Sequence, residues 1–308
     1  MALFGREWAR TSPDSITVWQ AAMAGGGLRP EVQAACYLDG VCRQVVTGKI
    51  LRDAAGLAGG LVALGLQPSE ALVSQLPHNP ESLVTFLAAM AAGLVFVPVL
   101  PTLGAADIAF VLEQTGAAAL LMPTDWRGQD HDTRAAEVAR LAGPRHIIRS
   151  GAGPVPQGQL DWEELRRARP VPPGGVGQDA TMPCAIVYTS GSSARPKGVV
   201  HNHSSLLVEA ASAAGIVDAV CGAPVLVAAP AGHIGMFAAY MRLVMHGWPA
   251  VFLDRWSTEA GVRAVAAHGV GWCTGVPPVL SPLVDVAERG EIETLRYFTT
   301  GAPTCPSP

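Results

Sequence analysis

The sequence predicts an α/β protein with two doubly wound α/β subdomains, and three observations support this prediction. The composition is that of a globular, turn-rich chain, with 49% hydrophobic and 15% charged residues, 34 glycines and 25 prolines in 308 residues. Segments with helical spacing of apolar residues alternate with short apolar segments typical of buried strands. A proline- and glycine-rich segment at 169–183 divides the chain. We therefore expect a first subdomain over residues 1–172 and a second over 173–308.

In the first subdomain the pattern predicts repeated strand–helix crossovers, which favour right-handed parallel connections. Helices are predicted at residues 50–66, 79–93 and 104–116. Strands are predicted between and after them, at 70–77, 94–99 and 117–123. The segment 79–93 opens with a turn and a candidate capping residue. The first 48 residues have weaker periodicity and predict no defined element.

In the second subdomain strand and helix again alternate. Strands are predicted at 184–188, 223–230, 250–254 and 270–277. Helices are predicted from about Ser205 and at 236–247 and 258–269. Ser257 is well suited to begin the helix at 258, because serine caps helix N-termini with its hydroxyl. A last strand is predicted within 295–303, and we expect more of its sheet to follow.

Charge, cysteine usage and the termini exclude several classes of protein. The formal net charge is −4, so the sequence does not predict a basic face of the kind that binds nucleic acid. The six cysteines form no CxxC pair, which predicts reduced thiols and no structural zinc. The charged residues Arg6, Glu7 and Arg10 lie where a signal peptide would have its apolar segment, so export is not predicted. The uncharged run 82–100 is long enough to span a bilayer, but Gly93 breaks it into a predicted buried helix and strand. We expect a cytoplasmic protein without a membrane span.

A serine- and glycine-rich loop follows the strand at 184–188. In "YTSGSSARPKGV" the position before Lys197 is Pro196 and the position after it is Gly198, so the Walker pattern is not met. Small residues let backbone N–H groups converge, hydroxyls add donors, and one lysine adds positive charge, which together suit a phosphate. An ordinary strand-to-helix turn has a similar composition. On the pattern alone both interpretations stay open.

The same loop resembles the phosphate-loop signature of the adenylate-forming superfamily, which comprises acyl-CoA synthetases, luciferases and peptide-synthetase adenylation domains. The matching positions are Tyr188, Thr189, Ser190, Gly191, Pro196, Lys197 and Gly198. Ser192 and Ser193 keep a hydroxyl, whereas Ala194 replaces the usual glycine and disfavours a positive φ. The resemblance extends over roughly residues 50–305. It is nearest to acyl-CoA synthetases that act on medium-chain or alicyclic acids, where "GHIG" and "DRW" recur.

This resemblance implies a two-step reaction. ATP and a carboxylic acid would form an acyl-adenylate and pyrophosphate, and the thiol of coenzyme A, or of a carrier protein, would then displace AMP. His233 would lie beside the acyl carboxylate, as a binding and gating residue more than a proton shuttle. The implied ATP-binding residues are Thr189, Ser190, Gly191, Ser192, Ser193, Lys197, Gly301, Ala302 and Pro303. Mg²⁺ would accompany ATP, with its ligand outside this chain.

The positions for the family's magnesium-binding glutamate, ribose-binding aspartate and small C-terminal domain would follow Pro308. We therefore expect an N-terminal fragment or a truncated product, with the C-terminal part missing and an incomplete active site. The alternative is a non-catalytic acyl- or nucleotide-binding remnant completed by a partner chain. A kinase-like phosphate-binding protein is disfavoured by the missing Walker pattern. His201 and His203 have the spacing of a metal pair on a strand, but without a third ligand they are predicted to begin the next helix.

Overall fold

The computed structural model describes residues 16–177, 179–189, 196–212, 216 and 219–300. Its helices are α1 (Val18–Leu28), α2 (Thr47–Ala63), α3 (Pro80–Ala91), α4 (Ala105–Thr115), α5 (His131–Ala142), α6 (Trp162–Leu165), α7 (His203–Ala211), α8 (Ile234–His246), α9 (Thr258–His268) and α10 (Pro277–Glu288). Its strands are β1 (Gln33–Leu38), β2 (Val41–Val46), β3 (Ala71–Ser74), β4 (Val95–Pro98), β5 (Ala119–Pro123), β6 (His146–Ser150), β7 (Leu160–Asp161), β8 (Pro183–Thr189), β9 (Lys197–Asn202), β10 (Val225–Val227), β11 (Ala250–Leu253), β12 (Trp272–Gly275) and β13 (Tyr297–Thr300).

The strands form two sheets that are parallel except at one edge of each. The first sheet has the order β7-β6-β5-β3-β4-β8-β9, and its antiparallel pair is β8–β9. The second has the order β13-β12-β10-β11-β1-β2, and its antiparallel pair is β1–β2. The predicted α/β class is confirmed, and the fold has two sheets that are mostly parallel.

Both faces of each sheet are covered by helices, which explains the continuous apolar character of the central strands. In β3, Leu72 packs into the core between the sheets and Val73 into the core under α4 and α5. In β10, Val227 faces the core between the sheets and Leu226 the core under α9 and α10. Helices α1, α2, α3, α7 and α8 fill the space between the sheets. The result is five alternating layers of helices and sheets.

The predicted helices and strands are found, with shifted ends. Asn79 and Ser257 cap α3 and α9 through side chains that accept from the backbone N–H groups of Ser82 and Ala260. Residues 16–48, which predicted no element, form α1, β1 and β2. Their periodicity is weak because α1 contains three consecutive glycines and most of β2 is exposed. Helix α5 and strand β6 were also not predicted.

The predicted boundary between residues 172 and 173 does not separate the two sheets. Strands β1 and β2 come from the N-terminal side and pair with β11 in the second sheet. Strands β8 and β9 come from the C-terminal side and extend the first sheet beyond β4. Each sheet therefore draws strands from both sides of the boundary.

The uncharged run 82–100 contributes most of α3 and all of β4, as predicted, and these lie in the interior. In the part of the chain that the structure describes, no helix combines the length and apolarity needed to cross a bilayer.

Candidate functional site

A cavity of about 600 Å³ lies where the carboxyl ends of β4, β8 and β10 come together. Ligands of open α/β sheets bind outside the carboxyl ends of the strands, so this position is the first candidate for a site. The lining residues are Pro98, Val99, Leu100, Leu103, Asp107, Val111, Val187, Tyr188, Thr189, Pro196, Val199, His201, Pro230, Gly232, His233 and Ile234.

The cavity wall is mostly aliphatic and carries few groups that can hydrogen-bond through a side chain. These groups are Asp107, Tyr188, Thr189, His201 and His233. An apolar cavity with a small number of placed polar groups is typical of a small-molecule site. The composition of the wall therefore suits a ligand with an apolar body and a polar end.

His233 caps the N-terminus of α8. Its Nδ1 accepts a hydrogen bond of 3.1 Å from the backbone N–H of Gly235. Burial lowers the pKa of His233 below its usual value, so the ring is neutral near pH 7. A neutral ring whose Nδ1 accepts carries its proton on Nε2. His233 can therefore donate a hydrogen bond from Nε2 to an acceptor on a ligand.

Thr189 and Lys197 lie on the two strands that flank the serine- and glycine-rich loop. They are partners in the β8–β9 register, and the Thr189 hydroxyl donates to the Lys197 carbonyl at 3.5 Å. Lys197 is exposed, and within the described residues it has no ion-pair partner. The predicted site residues Ser190, Gly191, Ser192, Ser193, Gly301, Ala302 and Pro303, as well as Ala194, lie outside the described residues.

Gly198 and Tyr188, two motif residues, shape the strands around the loop. They face each other across β8 and β9. A β carbon at Gly198 would lie 2.8 Å from Ile186 Cγ2 and 3.3 Å from the Tyr188 ring, so only glycine fits here without a shift. The Tyr188 hydroxyl donates to Gln114 Oε1 at 2.6 Å, which attaches the end of β8 to α4.

The prediction for His201 was wrong, whereas that for His203 is confirmed. His203 is the first residue of α7, but His201 belongs to β9 and lines the cavity. The hairpin continues as a strand after the loop, which delays the helix. His203 Nδ1 accepts from the backbone N–H of Val18 at 3.1 Å, and burial lowers its pKa to about 4. Among the described residues no three His, Cys, Asp or Glu side chains form a metal-binding group.

Gln75 was missed by the sequence analysis. This fully buried residue follows β3, and its Nε2 donates to the carbonyls of Pro101 at 3.2 Å and Leu103 at 2.8 Å. It thereby holds the loop after β4 that forms one cavity wall. A polar residue directly after a buried strand is the signal that could have indicated this role.

A second cavity, of about 550 Å³, lies at the carboxyl ends of β1 and β11. Arg127, Arg255 and Arg263 line it, and in the described structure none of the three has an ion-pair partner. Asp39 and Asp254 also line it, so arginines exceed carboxylates by one. Arg127 is far from Arg255 and Arg263 in the sequence, so the pattern gave no sign that it joins them, although Arg255 belongs to the "DRW" segment.

Comparison with known proteins agrees with this architecture. The sequence model of a family described as "AMP-binding enzyme" matches residues 32–308. A feruloyl-CoA synthase of Amycolatopsis sp. is 30% identical over 266 residues, which are 84% of this chain and 49% of that protein. The chain spans about half the length of the relatives it matches.

Two solved structures share the fold. The apo structure of MbtA from Mycobacterium smegmatis superimposes with a TM-score of 0.81 at 23% identity, covering 97% of this chain and 55% of that one. The o-succinylbenzoate CoA synthetase MenE from Bacillus subtilis, in complex with the acyl-adenylate intermediate OSB-AMP, gives 0.74 at 20% identity, covering 93% and 54%. Since the family match includes most of the chain, this protein belongs to the AMP-binding enzyme family.

Proposed function

We propose that the whole protein is an acid–thiol ligase, which uses ATP to convert a carboxylic acid into an acyl-adenylate and then into a coenzyme A thioester. One observation carries this proposal: an apolar cavity is lined both by His233 and by Thr189, the register partner of Lys197 beside the predicted phosphate loop. Family membership supports the same chemistry. The aliphatic wall favours an acid with an apolar body.

In the first step the acid occupies the cavity of about 600 Å³. The Nε2–H of neutral His233 donates to one carboxylate oxygen and orients the other oxygen toward the α-phosphorus of ATP. That oxygen forms the new P–O bond as the bond to the bridging oxygen breaks and pyrophosphate leaves. No proton is transferred, so His233 acts by orientation, which alone accounts for large rate effects.

Negative charge shifts onto pyrophosphate during this step. The Lys197 ammonium group has no ion-pair partner in the described residues and is available to the β- and γ-phosphates. Thr189, Ser190, Gly191, Ser192 and Ser193 would add hydroxyl and backbone donors. Gly301, Ala302 and Pro303 would lie beside adenine. Mg²⁺ would accompany ATP and, when bound, would neutralise part of the phosphate charge.

In the second step the coenzyme A thiolate attacks the acyl carbonyl, the acyl–oxygen bond breaks, and AMP leaves. The arginine-lined cavity of about 550 Å³ is our candidate for the coenzyme phosphates. Guanidinium groups bind phosphate oxygens in a planar, two-pronged arrangement. Arg127, Arg255 and Arg263 are suited to this role because nearby carboxylates do not neutralise them as ion pairs.

We also propose a cytoplasmic location. The buried thiols of Cys36, Cys184 and Cys273 are free, which suits a reducing compartment.

ATP–pyrophosphate exchange tests the proposed function. The full-length protein would be assayed with a panel of aliphatic, alicyclic and aromatic carboxylic acids, and the 308-residue chain would be assayed in parallel. We expect exchange that depends on the added acid, followed by thioester formation when coenzyme A is present. Binding of ATP and acid by the full-length protein without exchange for any acid would instead favour the non-catalytic alternative.

A further inference from the structure

A buried chain of hydrogen bonds connects the two sheets next to the candidate site. His78 follows β3 of the first sheet and is 2% exposed. Its Nε2 lies 2.9 Å from the backbone oxygen of Ala229, which follows β10 of the second sheet. Its Nδ1 lies 3.0 Å from the Tyr240 hydroxyl, which in turn lies 3.1 Å from Ser82 Oγ.

The partners determine where each proton lies. A carbonyl oxygen can only accept, so His78 Nε2 carries a proton and donates to Ala229. Burial lowers the pKa of His78 to about 4, so the ring is neutral and its Nδ1 must accept. The Tyr240 hydroxyl therefore donates to Nδ1, and the Ser82 hydroxyl donates to the Tyr240 oxygen. Both ring nitrogens of His78 are thus satisfied.

Aromatic packing restricts rotation of the imidazole. The His78 ring centroid lies 5.9 Å from that of Tyr240, edge to face, and 5.3 Å from that of Phe252. Tyr240 and Phe252 also pack against each other, at 5.2 Å. A ring enclosed in this way keeps its Nε2–H directed at Ala229.

Ala229 begins the short loop that leads to His233. At the far end, the His233 N–H donates to the Pro230 carbonyl at 3.1 Å. In between, Gly232 has a φ of +98°, and a β carbon there would lie 3.0 Å from the backbone carbon of Val99. The loop therefore touches the first sheet at two points. Among the described residues on the side of the first sheet, His78 makes the only side-chain hydrogen bond to this loop.

We propose that His78 is a positioning residue for this site: its bond to Ala229 sets the loop that places His233 at the cavity. It does not line the cavity itself, so it would act through His233. The consequence for acid binding rests on the function proposed above, whereas the effect on His233 does not.

Two substitutions of similar size separate the two bonds of His78. In His78→Gln the side-chain amide N–H can occupy the place of Nε2–H and keep the bond to Ala229. In His78→Asn the amide oxygen can occupy the place of Nδ1 and accept from Tyr240, but the bond to Ala229 is lost. Both variants lose the ring packing, so packing alone would affect them alike. Tyr240→Phe removes the other bond and keeps the ring contacts.

The first measurement is the NMR spectrum of the imidazole of His233 in the ligand-free protein, assigned with His233→Asn. The second is the pair of dissociation constants for the acid and for ATP. We expect His78→Asn to shift the His233 resonances and to weaken acid binding by roughly three- to tenfold, the loss of one hydrogen bond, with ATP binding unchanged. His78→Gln and Tyr240→Phe are expected to retain the wild-type resonances and acid affinity.

Equal shifts in His78→Asn and His78→Gln, or no shift in either, would overturn the positioning role. If His78→Asn does not fold, displaced His233 resonances in Tyr240→Phe would overturn it as well. Should the expected shifts appear in a protein that binds no acid, the positioning role stands and the proposed function fails.

Discussion

Gly25 in α1 lies directly against the backbone carbonyl of Met245 in α8. A β carbon at position 25 would overlap that oxygen, whereas one at Gly27 in the same helix would meet nothing within 4 Å. Since α8 begins directly after His233, the close approach of these two helices also locates the helix that His233 caps. Helix α1 thus packs against the helix that His233 caps, although no residue of α1 lines the cavity.

This contact predicts opposite effects for the same substitution at two positions of α1. Gly25→Ala should lower the free energy of unfolding by about 1–3 kcal/mol, because the helices must separate. Gly27→Ala should raise it by about 0.5–1 kcal/mol, because alanine has the higher helix propensity. Urea denaturation of the two variants checks this. Equal stability of both would show that the helices do not pack as closely as described.

Substitutions at His233 should separate its capping role from its role toward a ligand. His233→Asn keeps an acceptor for the Gly235 N–H but has no donor at the position of Nε2, so acid binding should weaken while the melting temperature stays close to wild type. His233→Ala also removes the cap and should lose about 1 kcal/mol of stability. Calorimetric titration with the acid and thermal melting measure the two effects. Unchanged acid affinity in His233→Asn would argue against the donor role.

The two lysines of the chain form a matched pair for testing phosphate binding. Lys197→Ala should weaken ATP binding by roughly ten- to a hundredfold, the value of a charge-assisted hydrogen bond. Lys49 instead pairs with Asp53 on α2, far from the loop in sequence, so Lys49→Ala should leave ATP binding unchanged. Titration with ATP distinguishes them. An equal loss in both variants would point to net charge, and not to a placed lysine.

The arginine-lined cavity predicts a selective defect in the thiol step. Arg127→Ala should raise the KM for coenzyme A several-fold in the full-length protein and leave acid-dependent ATP–pyrophosphate exchange intact. Arg140 is an exposed arginine of α5 that does not line the cavity, so Arg140→Ala is the control. Loss of exchange in Arg127→Ala would place Arg127 in the adenylation step instead.

Stability should fall on acidification through His78. Its pKa is about 4 in the folded protein and about 6.5 when exposed, so the folded state binds fewer protons between these values. This contribution is complete above pH 6.5 and is lost toward pH 4, by up to about 1.4 kcal/mol per pH unit. His78→Gln removes this group, so its stability should depend less steeply on pH than that of wild type. Parallel slopes from urea denaturation at pH 7 and pH 5 would contradict the buried, neutral state.

Several parts of the fold could be predicted because they depend on local pattern. The caps Asn79 and Ser257, the buried strands and the motif around Lys197 are properties of short segments. Residues 16–48 could not be assigned in the same way. Strand β1 pairs with β2, which follows it directly, but its other partner is β11, more than 200 residues later, and that pairing leaves no local signal.

The amino-acid pattern was sufficient for the α/β class and for Lys197 in a candidate phosphate loop, because both depend on residue type and spacing. The family motif and His233 as a candidate came from the resemblance to adenylate-forming enzymes. The folded chain was needed for the partners of these residues. It brings His78 to Ala229, Gly25 to Met245, and Arg127 to the cavity that Arg255 and Arg263 also line. These contacts join segments that are widely separated in sequence, and packing of the two sheets around shared helices brings them together.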